Sequence, residues 1–341
     1  MSEPAQEDER STDQLNDAGF AALHDERYDE VLAIAAELRK RRFSACFELE
    51  ARARWEMGER EAAIAVLEEG VAKAAAAPPL WHWLGCYRSD IGRYEAALEA
   101  FEREAAFEAT SVSTNTYNVA IVYERMDRAA DGLEALARLE APGEEGPSGE
   151  HFDELRARLL FDLSRFEECV EASTRVIDAL AAHAAEAGES DIDYLLLSRA
   201  YAVRAMANLR LRDPAAATED ADESIAAVAG GAQTPAWAMQ ALREAAGEKS
   251  ATTQWFDLIL TFRFPAPQDG SIGFVVRMGI FADDVDEAIR LAQPFLPPDA
   301  RGSRPRVDVE SAEAAPDEFK GVASVQARVY FGGEDDEPSA S

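Results

Sequence analysis

The chain has 341 residues, of which 66 are acidic and 34 are Lys or Arg, so its formal net charge is −32. Such a surface repels phosphate backbones and anionic lipid, which argues against nucleic acid and membrane partners. Hydrophobic residues make up 47% of the chain, yet no apolar run reaches the ~18 residues of a membrane-spanning helix. We therefore expect a soluble chain of about two domains, with its acidic residues on exposed helix faces.

The three cysteines are Cys46, Cys86 and Cys169, and they follow neither a CxxC pattern nor a metal-ligand spacing. An odd number of separated cysteines is typical of a reducing compartment. Each lies in an apolar helical pattern, where a free cysteine usually acts as a small buried hydrophobe. The acidic first residues lack the apolar core of a secretory signal. These observations predict a cytoplasmic protein.

The first predicted helix begins at Ser11, because Ser11 and Gln14 have the spacing of a capping box. Residues 1–10 are expected to form a disordered tail. Beyond them, apolar residues recur at helical spacing in pairs of helices joined by short turns. Val31, Ile34 and Leu38 form one of these apolar stripes.

One pair of helices carries a recognisable motif. It consists of Trp81, the Leu84-Gly85 pair, Tyr87, Ala97 and Phe101. This pattern resembles the tetratricopeptide repeat, although Tyr87 falls one place early and Arg88 stands where Tyr is usual. The resemblance implies a helical hairpin that stacks on similar hairpins.

A small residue recurs along the chain where the two helices of each pair are expected to touch. The positions are Gly19, Ala51, Gly85, Ala120, Ala157 and Ala205. The first four are 32, 34 and 35 residues apart, close to the ~34-residue period of this family. The later gaps of 37 and 48 residues imply longer helices. The spacing predicts six hairpins that share one core between neighbours, because no hairpin can cover its own apolar stripe.

The helical repeat domain is expected to span residues 11–249. Thr234 and Pro235 begin a seventh helix that ends at Gly247 and caps the last hairpin. The Pro- and Gly-rich residues 141–150 predict a loop that interrupts the stack.

After Lys249 the apolar period changes from about 3.6 to 2, which indicates strands. The first strand, residues 255–264, places Phe256, Leu258, Leu260, Phe262 and Phe264 on one face. A second strand at residues 273–281 follows the turn-rich PAPQDGS.

Asp283 and Asp284 then cap a helix over residues 285–295. Two further strands are predicted at residues 306–310 and 322–331. The fold class is therefore mainly α: a solenoid of helical hairpins followed by a small α+β (β-β-α-β-β) domain over residues 250–332. Residues 333–341 are expected to be a disordered acidic tail. We expect the apolar sheet face to dock against the last hairpin.

No catalytic residue, metal ion or cofactor is expected. The four histidines, His24, His82, His151 and His183, are scattered, and no HExxH, phosphate-binding glycine loop or GxSxG elbow occurs. The acidic cluster at Asp283, Asp284, Asp286 and Glu287 resembles a cation site, but helix capping explains it better. The sequence favours a protein that is not an enzyme.

The resemblance implies a concave surface built by the first helix of each hairpin. Projection of those helices gives nine candidate binding residues: Asn16, Phe20, Arg52, His82, Tyr117, Asn118, Arg125, Arg158 and Arg199. Amides at these places suit a peptide backbone, and guanidinium groups suit its carboxylates. The alternative is that they are ordinary surface residues paired with nearby Glu side chains.

Co-chaperone members of this family bind carboxy-terminal peptides through a clamp of Lys and Asn. Only Asn118 resembles part of that clamp, because Asn16, Glu48 and His82 stand where its lysines would be. This departure argues against a receptor for chaperone tails.

Three functional hypotheses remain. The favoured one is a non-catalytic adaptor or scaffold that binds a peptide or helix of a partner protein on the repeats. The second is recognition by the α+β domain, as in an immunity-type or regulatory protein, with the repeats as a frame. The third is an enzyme in the C-terminal domain.

Overall fold

A computed structural model describes residues 10–107, 110–139, 147–187, 192–228, 235–268, 271–297, 300–301, 304–326 and 328–331. The chain divides into two compact units, residues 1–148 and 149–341. The predicted domain boundary at residue 249 lies inside the second unit and stays a prediction. Across the described ranges, no helix has the length and apolar character needed to cross a membrane.

The first unit consists of four helical hairpins. They pair α1 (Thr12–His24) with α2 (Tyr28–Lys40), α3 (Ala45–Glu56) with α4 (Arg60–Lys73), α5 (Pro78–Asp90) with α6 (Tyr94–Ala105), and α7 (Val112–Arg125) with α8 (Ala129–Ala137). The first helices contact one another in the order α1, α3, α5, α7. Ser11 forms the predicted capping box with Gln14.

Close approach of the paired helices requires the small residues that the sequence singled out. A Cβ atom on Gly85 would lie 2.6 Å from the Phe101 ring of α6. One on Gly19 would lie 3.2 Å from the Ile34 side chain of its partner helix α2, and 2.7 Å from the Leu49 side chain of α3 in the next hairpin. Ala51 and Ala120 are fully buried at the equivalent positions. The predicted role as a helix contact is confirmed for Gly19 and Gly85, and the burial of Ala51 and Ala120 agrees with it.

The second unit begins with two longer hairpins and a single helix. They are α9 (Gly149–Asp162) with α10 (Phe166–Ala187), α11 (Tyr194–Arg210) with α12 (Pro214–Ala227), and α13 (Ala236–Ala246). Ala157 and Ala205 are fully buried. The 22 residues of α10 account in part for the wide spacing between these two alanines. Helix α13 ends at Gly247 in the left-handed conformation, as predicted.

The predicted loop at residues 141–150 is too long by two residues, because α9 already begins at Gly149. Residues 140–146 lie outside the described part of the chain, as do residues 1–9 of the predicted tail at residues 1–10 and the whole predicted tail at residues 333–341.

Each of the six hairpins turns through a residue with positive φ, seven positions after its small contact residue. These residues are Glu26, Gly58, Gly92, Asp127, Ser164 and Arg212. The backbone bonds are those of a Schellman motif: in the last hairpin Arg212 N–H donates to Leu209, and Asp213 N–H donates to Asn208. Only two of the six are glycine, although this conformation disfavours other residues.

Replacement of Arg212 by Gly is expected to raise the free energy of unfolding by about 1 kcal/mol, since glycine adopts positive φ without steric cost. Arg212 is exposed and has a φ of 65°. Denaturant unfolding of the full chain measures the effect. Arg212→Ala is the matched control, because it removes the same side chain but keeps the strain. Equal stability of the Gly and Ala variants would contradict the prediction.

A five-stranded antiparallel sheet follows α13. Its strands are β1 (Gln254–Gln268), β2 (Ser271–Ala282), β3 (Arg306–Ala314), β4 (Gly321–Val325) and β5 (Val329–Phe331). The order is β3-β1-β2-β4, and β5 also pairs with β2. Helix α14 (Val285–Ala292) follows β2 and is capped by Asp284.

Two details of the predicted strands are wrong. The predicted strand at residues 322–331 is two strands, because the pairing with β2 stops at Val325, opposite Met278, and resumes at Val329, opposite Val275. The predicted turn PAPQDGS is mostly strand, since β1 continues to Gln268 and β2 begins at Ser271. The sheet therefore has the order β-β-α-β-β-β along the chain.

One face of the sheet packs against helices. Phe256, Leu258, Leu260 and Phe262 are buried as predicted, whereas the Phe264 side chain lies outside what the structure describes. Met239 of α13 belongs to the same apolar cluster. The sheet thus packs mainly on the capping helix α13, and Ile225 of α12 in the last hairpin also packs against this cluster, in agreement with the expected docking.

Candidate functional site

We use the term first-helix face for the surface of the first unit where α1, α3, α5 and α7 lie side by side. Its most continuous feature is a stack of three side chains. The guanidinium carbon of Arg52 lies 4.5 Å from the Trp83 ring centroid and 5.8 Å from that of Phe20. Phe20 lies in α1, Arg52 in α3 and Trp83 in α5. The cation–π contacts therefore join three consecutive hairpins.

Glu48 holds this stack in place from within α3. Its Oε1 atom accepts a hydrogen bond from the Trp83 indole at 3.1 Å and one from Arg52 at 3.3 Å. The Glu48 side chain is only 13% exposed, so both bonds are shielded from water. The result is a fixed aromatic and cationic surface. The sequence predicted Phe20 and Arg52 as binding residues but not Trp83. The i,i+4 spacing of Glu48 and Arg52 indicates their ion pair in the sequence, but it does not indicate the contact with Trp83.

A second polar group on the face centres on His82. Its Nδ1 atom lies 3.1 Å from Oε1 of Glu104 on α6. Glu104 is 6% exposed and accepts a second bond from the Asn115 amide at 3.1 Å. Burial alone would lower the pKa of His82, but hydrogen bonds with Cys86 and Glu104 outweigh it and raise that pKa to about 10. His82 is therefore a cation held by a buried carboxylate at neutral pH.

Cys86 differs from the other cysteines and corrects the prediction that all three are buried. Cys46 and Cys169 are 1% and 0% exposed, and burial raises the pKa of the Cys169 thiol to about 12. Cys86 is half-buried. Its Sγ atom lies 3.7 Å from Nε2 of His82 and 4.0 Å from the Asn118 amide nitrogen.

The remaining predicted residues of the first unit lie near the two ends of the face. Arg125 donates to Ser89 at 2.8 Å and to Asp90 at 2.7 Å, which links α7 to α5. Tyr117 and Asn16 are half-buried. The side-chain amide oxygen of Asn16 (Oδ1) is buried and has no hydrogen-bond partner among the described residues.

Arg158 and Arg199 belong to the second unit, where both meet one carboxylate. Their Nε atoms lie 3.1 and 3.6 Å from Oε1 of Glu154, and Glu154 is fully buried. All four predicted arginines therefore have an acidic partner. This agrees with the alternative that they form intramolecular ion pairs, and any ligand carboxylate has to compete with those partners.

Other polar clusters have structural explanations. A cleft of about 400 Å³ between α10, α11 and α12 is lined by Arg204, whose guanidinium is held by Asp220 at 2.6 Å. In the cluster near α14, Asp284 caps the helix, while Lys320 bonds Asp283 at 2.6 Å and Glu287 at 3.1 Å. Within the described residues, no group of His, Cys, Asp and Glu is arranged to hold a metal ion.

The model of the tetratricopeptide repeat family matches residues 78–103. This segment contains α5 and most of α6, with the Gly85–Phe101 contact, and the same hairpin geometry recurs from α1 to α12. Residues 78–103 therefore form a tetratricopeptide repeat, and the helices α1 to α12 share its helical-hairpin fold.

Two solved structures show how far this fold extends. A tetratricopeptide repeat protein from Parabacteroides merdae is 11% identical with a TM-score of 0.52, and the match covers 69% of this chain and 85% of that one. The Cut9–Hcn1 hetero-tetramer of the APC/C gives 10% identity and a TM-score of 0.52, covering 70% of this chain but 43% of that one. No curated protein matches this chain.

Proposed function

We propose that this protein is a non-catalytic adaptor whose first-helix face binds a peptide or helix of a partner protein. The observation that carries the proposal is the Phe20–Arg52–Trp83 stack, which crosses three hairpins. Trp and Arg are enriched among the residues that dominate binding energy at protein interfaces. A single apolar patch on one helix would offer no such continuous track.

Preorganisation supports the same proposal. Glu48 fixes Arg52 and Trp83 before any ligand arrives, so binding loses less side-chain entropy. All three stack residues are half-buried, so part of the surface of each is available to a ligand. Asn118 lies on the same face and suits a peptide backbone, since its amide both donates and accepts.

The charge of the chain favours a protein partner. The formal net charge of −32 opposes approach of nucleic acid and of anionic membranes. A cationic, aromatic track within that acidic surface selects segments of complementary chemistry. The Cut9–Hcn1 match is to a protein found in a hetero-tetramer, and that assembly illustrates the kind of role we propose.

Selection of a displayed random-peptide library on the full chain, followed by calorimetry with the selected peptide, tests this proposal. Arg52→Glu is expected to weaken binding at least tenfold, about 1.4 kcal/mol, because it removes both cation–π contacts and adds a charge beside Glu48. Trp83→Ala is expected to act in the same direction.

Arg60→Glu is the matched control. Arg60 is exposed on the second helix α4 and also lies over a tryptophan, with its guanidinium carbon 5.6 Å from the Trp55 ring centroid. Its reversal is expected to change the peptide affinity less than about twofold. Equal losses in the Arg52 and Arg60 variants would mean that general charge, rather than the first-helix face, controls binding.

Exposure of β3 supports a second candidate, recognition by the C-terminal sheet. This nine-residue strand stands at the end of the sheet order, and Val309 is 47% exposed. Its acidic residues Asp308, Glu310 and Glu313 disfavour pairing with another copy and favour a basic extended segment. If this candidate is right, the double variant Glu310→Lys with Glu313→Lys loses the selected peptide while Arg52→Glu retains it.

A further inference from the structure

The surroundings of Cys86 match those of a reactive thiol rather than a structural one. A nucleophilic cysteine needs access to solvent, and Cys86 is half-buried while Cys46 and Cys169 are closed off. Helix α5 places His82 one turn before Cys86, with Nε2 3.7 Å from the sulfur. This distance suits a weak hydrogen bond to sulfur.

A third group orients the imidazole. Glu104 lies 3.1 Å from Nδ1 of His82, and Asn115 bonds the other oxygen of Glu104. A carboxylate at Nδ1 keeps a proton on that nitrogen and directs Nε2 at the sulfur. The thiol, the imidazole and the orienting carboxylate therefore follow one another in the order found at activated cysteines.

We propose that Cys86, His82 and Glu104 form a reactive-thiol site at which hydroperoxides oxidise the sulfur to a sulfenic acid. The Cys86 thiolate attacks the distal peroxide oxygen, so an S–O bond forms while the O–O bond breaks. The leaving alkoxide takes the Nε2 proton of the His82 imidazolium and departs as the alcohol. Sulfur is oxidised by two electrons and the peroxide is reduced by the same two.

The groups that face the sulfur and its imidazole partner come from three helices. His82 on α5 supplies the positive charge, and its raised pKa keeps it protonated at neutral pH. Glu104 from α6 contacts the far side of the ring, and α7 contributes the uncharged amides of Asn115 and Asn118. This site lies on the same first-helix face as the proposed peptide track, but its chemistry requires no peptide, so it goes beyond the adaptor function proposed above.

Alkylation by iodoacetamide at two pH values, with peptide mapping of each cysteine, tests the thiolate. For an ordinary thiol the rate falls about 50-fold between about pH 8.5 and about pH 6.5, because only the thiolate reacts. In the native full-length protein, we expect the alkylation rate of Cys86 to fall less than about fivefold over the same pH interval. Both rates are measured on the same folded protein. Partial burial of the sulfur slows both equally and therefore does not change their ratio.

In the His82→Gln variant, the alkylation rate of Cys86 is expected to fall about 50-fold between the two pH values, as for an ordinary thiol. The Asn118→Ala variant is expected to change the pH dependence less. Cys46 and Cys169 serve as internal controls, since they stay unlabelled while the variant remains folded. If the His82→Gln variant unfolds, Cys46 and Cys169 become labelled. The ratio of the Cys86 alkylation rates in the unmodified protein then tests the proposal without the variant. A fall of about 50-fold at Cys86 in that protein would overturn the proposal.

Hydrogen peroxide followed by dimedone trapping tests the oxidation itself. The sulfenic acid adduct is expected on Cys86 and to drop at least tenfold in His82→Gln, while Cys46 and Cys169 remain unmodified in both. Adduct formation at equal rates with and without His82 would show that mere exposure controls the chemistry and would overturn the assigned role of the imidazole.

Discussion

Gly85→Val is expected to lower the free energy of unfolding by about 3 kcal/mol or more, the largest effect among the variants considered for the repeats. A Cβ atom at this position would lie 2.6, 2.8 and 2.8 Å from three atoms of the Phe101 ring. That ring is fully buried and cannot move aside without disturbing its own neighbours. Denaturant unfolding monitored by circular dichroism measures the loss.

Gly92→Ala provides the control for loss of a glycine as such. Gly92 has a φ of +79° and open space around its missing Cβ, so its replacement is expected to cost only about 1 kcal/mol of strain. In a Phe101→Leu background, Gly85→Val is expected to cost less than in the unmodified chain, because the smaller side chain relieves the overlap. An unchanged cost there would show that the close helix approach is not the cause.

His82→Gln is expected to destabilise the protein most at low pH, by on the order of 3 kcal/mol. The pKa of His82 is raised from 6.5 to about 10 in the folded protein. Its contribution is therefore complete below about pH 6.5 and is lost as the pH rises through about 10. The difference in free energy of unfolding between the unmodified and variant proteins should shrink steadily across that window.

His24→Gln is the matched control for this pH dependence. His24 is exposed at the end of α1, and its replacement is expected to change stability by less than about 0.5 kcal/mol at each pH. A His82 difference that stays constant between about pH 6 and about pH 10 would contradict the assigned ion pair with Glu104.

Local pattern was sufficient to predict the hairpins and their contact points. Gly19, Gly85 and Ala120 could be picked from sequence because each recurs at the repeat period and needs no knowledge of its partner. The capping box at Ser11 and the left-handed end at Gly247 depend only on neighbouring residues. These features follow from helix geometry alone.

The contacts between hairpins could not be predicted in the same way. Whether Trp83 faces Arg52 depends on how α5 is rotated against α3, and a one-residue turn moves a side chain by about 100°. The half-exposure of Cys86 has the same origin. The split between β4 and β5 depends on the register against β2, which a single strand pattern does not contain.

The indole N–H signals of the five tryptophans give the most direct test of the proposed binding face. In an NMR titration of the full chain with the selected peptide, we predict a large shift for Trp83, whose indole bonds Glu48, and unchanged signals for Trp237 and Trp255 in the second unit. Shifts at Trp237 or Trp255 with an unmoved Trp83 signal would contradict binding on the first-helix face.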